Sequence, residues 1–401
     1  MKRIFRKIHL WLSIPFGLIF AVMCFSAAML MLEPSRDLKV TPLETEPLHI
    51  GQIMHTAKAS LPDSVEVTGL TIAAAPEMAY RLSLSTSPHD GYYVNQYTGE
   101  VLGRSERKPF FATMFKLHRW LGGSRDSVGK TLTGLTTLAA VLVLLTGIFL
   151  WVPRARKSLG RALAVRFKSM RAFWVSLHIS GGIYAALILL LCCLTGLTWS
   201  YRWYSNGVNA LFGVEAQAGG YGGGHGKPDK GGKPDKGGKP DKGDKPDKGE
   251  KGGRHGRGGE GRGEGRAQRG EGRGEGRGEG RGEGITDYLG YDRAFEQVKA
   301  EAPNFKTITL SDGEVSVAFD GMGNQRASDT YSFDTATGQI TSYTAYADAP
   351  TAKKLRGWIY SLHTGVWGGP IIKWLTFILV ILGVTLPLSG YYIWLVRRLK
   401  N

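Results

Sequence analysis

Four stretches of this chain, roughly 9–32, 128–152, 173–200 and 371–396, are each long and apolar enough to cross a bilayer. A hydrocarbon core about 30 Å thick needs ~20 mostly apolar residues if the segment is helical. Water is absent there, so each segment must satisfy its own peptide groups, and a short apolar run does that only as a helix. The fold class expected is therefore membrane α-helical, a four-span bundle. The first stretch is read as a retained span and not a cleaved leader. Its small-residue run Ser26-Ala27-Ala28 is followed by further apolar residues.

Charge placement supplies the orientation. Lys2, Arg3, Arg6 and Lys7 precede the first span. Arg154, Arg156, Lys157, Arg161, Arg166, Lys168 and Arg171 lie between the second and third, and Arg397, Arg398 and Lys400 follow the fourth. These three stretches contain no acidic residue and hold fourteen positive charges, against a formal net charge of +17. Positive loops stay on the cytoplasmic side, so both termini and the middle loop are expected there. The basic excess is thus a topology signal. It does not gather into one basic domain, and no nucleic-acid partner is expected.

The segments on the other side carry different patterns. Residues 33–110 show a helical stretch at Ile50–Leu61, then strand-like alternation at Val65–Ile72, Ala79–Ser85 and Gly91–Val101, with a turn at Tyr97–Glu100. Residues 285–350 repeat that order: a helix near Tyr291–Ala302, then strands near 306–310, 315–319, 330–333 and 339–343. Two small external α+β domains are expected, each too small to be stable without docking on the membrane part. Between the halves, residues 216–284 run as Lys-Pro-Asp-Lys-Gly-Gly and then Gly-Glu-Gly-Arg repeats. With almost no apolar residues to bury, this insert is expected to be disordered. The remaining pieces are 1–32 (N-terminus and first span), 111–152 (interfacial helix and second span), 153–172 (basic loop), 173–203 (third span) and 351–401 (interfacial helix, fourth span and C-terminus).

Several chemistries find no support. Cys24, Cys192 and Cys193 all fall in predicted spans, and no CxxC or CxxCH occurs. Covalent haem attachment, a zinc knuckle and a disulfide framework are therefore disfavoured, and the cysteines read as small apolar filler. Neither external segment offers a nucleophile–base set, a metal cluster or a phosphate loop. His49, His55 and His89 lack spaced partners and read as surface or structural residues. His225 and His255 lie isolated in the insert.

Four other histidines fall at repeated positions. His9 and His178 each open an apolar run, and His118 and His363 each end an amphipathic stretch just before one. Ser13 and Gly17 follow His9 at i+4 and i+8; Gly182 and Ala186 follow His178 at the same spacing. A small-residue stripe beneath a histidine leaves room for a flat porphyrin against the helix, although such stripes also serve close helix packing. Histidines at the interface also serve as anchors within an aromatic belt, here Trp120, Trp358 and Trp367. Recurrence in both halves favours ligand pairs: His9 with His178 near the cytoplasm, and His118 with His363 near the outside. Two imidazoles on one low-spin haem iron leave no open position, which suits electron transfer. Leu145-Thr146-Gly147 matches Leu388-Ser389-Gly390, and Leu194-Thr195-Gly196 matches Phe25-Ser26-Ala27. These repeats read as helix-packing positions that mark an internal duplication.

The order span, external domain, LHRW-type histidine, span, given twice, resembles the PepSY-associated transmembrane proteins. Lys7–Gly17, Leu117–Gly123, Leu177–Gly182 and Leu362–Gly369 carry the resemblance, which covers nearly the whole chain except the insert. It implies PepSY-like external domains, two b-type haems on the membrane histidines, and a place in the bacterial inner membrane among lipid. It further implies reduction of a periplasmic ferric chelate, such as a ferrisiderophore. Some relatives carry a flavin-reductase domain; this chain has no such segment and no GxGxxG after a strand. Electrons would then come from a separate donor, a cytoplasmic flavoprotein or the quinone pool. The competing expectation is a non-redox membrane protein whose PepSY-like domains bind a peptide or envelope partner. A proton-coupled transporter is disfavoured, because the span interiors carry no acids.

Overall fold

The computed structural model describes residues 1–62, 65–85, 87–214 and 288–399, with the backbone alone for 87–90. The low-complexity insert, with His225 and His255, lies outside the described residues. In the first half, α1 (Lys2–Met31) is followed by α2 (Ile50–Ala59), strands β1 (Val67–Ala73), β2 (Tyr80–Leu84), β3 (Ser87–Val94) and β4 (Val101–Arg104), then α3 (Pro109–Trp120), α4 (Val128–Lys157) and the short α5 (Leu159–Leu163). In the second, α6 (Met170–Ser176) runs through a π-helical turn, Leu177–Gly181, into α7 (Gly182–Ser200), and α8 (Arg202–Leu211) follows. After the insert come α9 (Leu289–Glu301), β5 (Thr307–Ser311), β6 (Glu314–Ala318), β7 (Asp329–Phe333), β8 (Ile340–Thr344), α10 (Thr351–Thr364) and α11 (Gly369–Arg398). Long helix, short helix, four strands, amphipathic helix, long helix: the order is given twice.

Four helical segments, Lys2–Met31, Val128–Lys157, Met170–Ser200 and Val366–Arg398, are long and apolar enough to span a membrane. Both α1 and α7 pack against α4 and α11, so α1 and α7 face each other across the diagonal of a four-helix bundle. Its core is Cys24 and Ala28 of α1, Ala140 and Leu144 of α4, Ala185, Leu189 and Cys193 of α7, and Val380 and Leu386 of α11. Small residues predominate because, in lipid, close backbone approach and van der Waals packing hold helices together. All three cysteines are free thiols in this core or at its edge.

A side chain from α11 engages the backbone of α1. Pro15 lacks the N–H that would bond one turn back. Just beyond it, the Tyr391 hydroxyl of α11 accepts from the Leu18 N–H at 3.2 Å and donates to the Ile14 carbonyl at 2.6 Å. These two groups are donor and acceptor of one helical rung, so the phenol spans that rung from the side.

The eight strands form one antiparallel sheet, ordered β4-β3-β2-β1-β5-β6-β7-β8. The sequence suggests two external domains; the structure joins them edge to edge through β1 and β5, with Leu70 opposite Leu310 and Ile72 opposite Ile308. Pairing removes two exposed edges, each a row of unpaired peptide groups. α2 and α9 share the single core beneath the sheet, with Ile53, Met54, Leu70, Leu82, Val298, Ile308, Val315 and Val317 almost fully buried. Asp292 of α9 accepts from the N–H groups of Ile50 (2.6 Å) and Gly51 (3.2 Å), so one half caps the α2 N-terminus of the other. Each half gains stability from the other. Within the expected strand 91–101, pairing stops at Val94 and a turn precedes β4, because Gly99 adopts φ +74°.

Candidate functional site: two apposed histidine pairs

The bundle brings the four histidines together two by two. The rings of His9 on α1 and His178 in the π-turn have centroids 6.2 Å apart, nearly perpendicular at 86°. Those of His118 on α3 and His363 on α10 lie 6.1 Å apart, tilted at 57°. The first pair sits at the end of the bundle that carries the basic clusters, the second at the end that carries the sheet. His9 and Met23, which holds His118, are 14 residues apart on α1; His178 and Cys192, which holds His363, are likewise 14 apart. At 1.5 Å rise per residue the two levels are roughly 20 Å apart.

Each imidazole is fixed in the same way, by a long helix other than its own. Nδ1 of His9 bonds the Val143 carbonyl at 3.0 Å and the Thr146 hydroxyl at 3.2 Å. Nδ1 of His178 bonds the Leu386 carbonyl and the Ser389 hydroxyl, both at 3.0 Å. Nδ1 of His363 bonds the Cys192 carbonyl and the Thr195 hydroxyl, again both at 3.0 Å. Nδ1 of His118 bonds the Met23 carbonyl at 3.0 Å and lies 3.5 Å from the Ser26 hydroxyl. A carbonyl oxygen only accepts, so Nδ1 carries the proton in all four rings and Nε2 keeps its lone pair. The hydroxyls hand their own protons to carbonyls of their helix, for example Thr146 to Leu142 at 2.8 Å and Thr195 to Leu191 at 2.7 Å, and so accept from the imidazole.

The residue after each hydroxyl is small, and for three of the four it lies against the ring. A Cβ placed on Gly147, Gly196 or Gly390 would stand 3.3–3.4 Å from Cε1 of His9, His363 or His178 respectively. Ala27 takes the fourth place. The carbonyl, the hydroxyl three residues on and the small residue next to it thus form one recurring cradle. The repeats Thr146-Gly147, Ser389-Gly390, Thr195-Gly196 and Ser26-Ala27 are this cradle; spacing alone points only to packing.

The other candidate residues lie elsewhere. Ser13 donates to the His9 carbonyl at 2.5 Å along its own helix. Gly17 admits Tyr391, whose hydroxyl would be 3.1 Å from a Cβ there, with Pro387 at 3.3 Å. Gly182 faces Leu386, and Ala186 is buried in the bundle. Sequence reading misses Trp199, whose ring meets His363 edge-on at 5.0 Å, and nothing in its spacing marks it. His49 and His55 are exposed.

Burial pushes the His118 and His363 imidazoles below their ordinary 6.5; the Arg119 charge lowers both further, and for His363 the neighbouring His118 does so too. Both are therefore neutral, the form that ligates metal. Among the described residues no group of three or more His, Cys, Asp or Glu side chains gathers to hold a metal ion. A bare zinc ion typically takes about four protein ligands, so pairs of imidazoles suit an ion that brings its remaining ligands with it. With metal–nitrogen bonds near 2.0–2.1 Å on opposite sides of one ion, ring centroids fall about 6 Å apart. Both pairs meet that distance, and Nδ1–H donation to a carbonyl is the usual outer contact of a metal-bound histidine. Two neutral imidazoles at this spacing are the donor set that a haem iron takes.

No curated protein matches the chain. A family model described as PepSY-associated TM region matches residues 6–397, and the chain, a membrane protein with four apolar spanning helices, belongs to that family.

Proposed function

We propose that the protein carries electrons across the bacterial inner membrane through two b-type haems, to a ferric chelate on the sheet side. His9 and His178 would hold one haem, and His118 and His363 the other. When bound, each supplies a low-spin iron with no open position, suited to one-electron exchange and poorly suited to oxygen activation. The observation that carries the reading is the pair spacing of 6.1–6.2 Å, with every Nδ1 committed to a carbonyl on a neighbouring helix.

The chain's own residues do three things toward that end. The four cradles fix the tautomer and aim Nε2, so little conformational freedom remains to be lost on ligation. The apolar bundle keeps water from both pairs. The two levels, roughly 20 Å apart within a core of about 30 Å, divide the crossing into shorter steps. By the positive-inside rule the termini and the 153–172 loop face the cytoplasm, where a flavoprotein or the quinone pool would donate. The external sheet belongs to the substrate side; ferric siderophores are candidate acceptors, because ferric iron suits hard oxygen ligands far better than ferrous iron does. The twofold element order, PepSY-like segments included, reflects an internal duplication.

An absorption spectrum of the detergent-purified chain tests the reading. A Soret band that shifts on dithionite, with two haems per chain, is expected. His9→Ala or His178→Ala should remove one haem, and His118→Ala or His363→Ala the other. A colourless preparation from haem-replete cells would overturn the proposal.

A further inference from the structure

Where α4 begins beside the end of α7, at the sheet end of the bundle, the surface opens into a cavity of about 340 Å³. Arg125, Asp126, Lys130 and Gly134 line it from the start of α4, and Ser200 and Tyr201 from the end of α7. Among the described residues, neither Arg125 nor Lys130 is engaged in an ion pair. The Tyr201 hydroxyl is buried and has no hydrogen-bond partner among them. It lies so close to α4 that a Cβ on Gly134 would stand 3.0 Å away. An unpaired buried hydroxyl is costly, and a polar ligand in the cavity would relieve that cost.

Both walls lead directly to the outer histidine pair. Ser200 and Tyr201 follow Trp199, whose ring is against His363 at 5.0 Å. On the other side, the Trp120 carbonyl, two residues past His118, is pressed against Gly129 in the first turn of α4, where a Cβ would be 1.9 Å from it. Arg119, between His118 and Trp120, lies near Arg125 and adds positive charge close by. The patch is basic at the end of the bundle where the topology rule calls for no excess of Lys and Arg.

We propose that this cavity docks the acceptor as a carboxylate-rich anion, a compact ferric hydroxycarboxylate or one arm of a larger chelate. Arg125 and Lys130 meet the carboxylates, the Tyr201 hydroxyl donates to a further oxygen, and Asp126 accepts from a ligand hydroxyl. The volume lies at the small end of the range for ligand sites, about 300–1,000 Å³, which favours a compact chelate. The choice of a ferric anion rests on the function proposed above. A lipid phosphate offers similar anionic oxygens at this depth, so the test must separate the two sources.

The test uses the full chain in phosphatidylcholine nanodiscs, with gallium(III) citrate as a redox-inert probe, read by calorimetry. Saturable binding is expected. Arg125→Gln and Lys130→Gln should each weaken it by about tenfold to a hundredfold, the usual cost of a charge-assisted hydrogen bond. Tyr201→Phe should weaken it severalfold, with haem content as in the parent and a melting temperature no lower than the parent's. Binding that survives both glutamine variants unchanged would overturn the proposal. So would an absence of gallium citrate binding, including the case in which phosphatidylglycerol co-purifies with the parent and is lost from the variants; the cavity would then be a headgroup site. A colourless preparation that still binds gallium citrate through Arg125 and Lys130 would support the cavity while overturning the haem reading.

Discussion

Replacing Thr195 by valine keeps the side chain's shape and removes one hydroxyl from the His363 cradle. Nδ1–H of His363 is shared between the Cys192 carbonyl and the Thr195 hydroxyl, both at 3.0 Å. With the hydroxyl gone the carbonyl remains, so no buried proton is orphaned, and the loss is one neutral hydrogen bond. That is about 0.5–1.5 kcal/mol, or roughly a twofold to tenfold weaker hold on a ligand at this site. An imidazole whose proton is less well accepted donates less charge to its metal, which favours the reduced state. For the haem proposed there, at 59 mV per tenfold for one electron, the outer midpoint should rise by about 20–60 mV. The inner pair, roughly 20 Å away, should keep its potential. Ser26→Ala should act more weakly on the same site, since its hydroxyl is 3.5 Å from His118. Redox titration followed by absorbance, alongside haem-loading titration of each variant, measures both quantities. If Thr195→Val leaves the outer midpoint and the loading unchanged, or shifts the inner centre instead, the cradle argument is wrong.

Two further outcomes concern the scaffold. Tyr391→Phe removes the bridge between the Leu18 N–H and the Ile14 carbonyl, which are then left to bond each other, at a cost of about 0.5–1.5 kcal/mol. Gly17→Ala forces the same phenol away from a Cβ it would meet at 3.1 Å, so both variants should lower the melting temperature while leaving the external sheet's strand content intact by circular dichroism. At the β7–β8 turn, Asp334 accepts from the N–H groups of Thr337 (2.8 Å) and Ala336 (3.0 Å), and the Thr337 bonds hold its carboxyl below the ordinary 3.8. A pKa lower in the folded than in the unfolded chain contributes stability above the unfolded value and loses it as pH falls through the folded one. The protection of the Thr337 amide, its exchange rate taken relative to the intrinsic rate at each pH, should therefore fall as pH drops through that range, and Asp334→Ala should already have lost that protection at neutral pH.

The four spans were legible because each is a local property: some twenty apolar residues must hydrogen bond within themselves wherever they sit. The strands were legible to within a few residues because alternation reports one buried face, as at Ile308, Leu310, Val315 and Val317. The matching of His9 with His178 and His118 with His363 followed from depth along the spans, and the structure sets those rings side by side. The partners of Nδ1 were not legible. Thr146, Ser389 and Thr195 look like any hydroxyl in a membrane helix until a histidine from elsewhere arrives opposite them. Gly17 shows the same limit: a small residue marks a close approach without naming what approaches, and here Tyr391 lies against it. The π-turn that carries His178 left no trace in the residue pattern, since Ser176–Gly182 is compatible with a plain helix.

By itself, the amino-acid order determined the class of molecule, the position of each histidine relative to the apolar spans and the side of the membrane on which each basic cluster is expected. Those follow from free energies that sum along a segment: burial of apolar area, peptide satisfaction in lipid, and charge next to a bilayer. Only the tertiary structure decided that β1 pairs with β5 to join two four-stranded halves, and that each imidazole is gripped by a helix many residues away. It also decided that Arg125, Lys130 and Tyr201 border one cavity. These are juxtapositions of residues far apart in sequence, set by which helix faces and strand edges leave no better partner once the chain has closed.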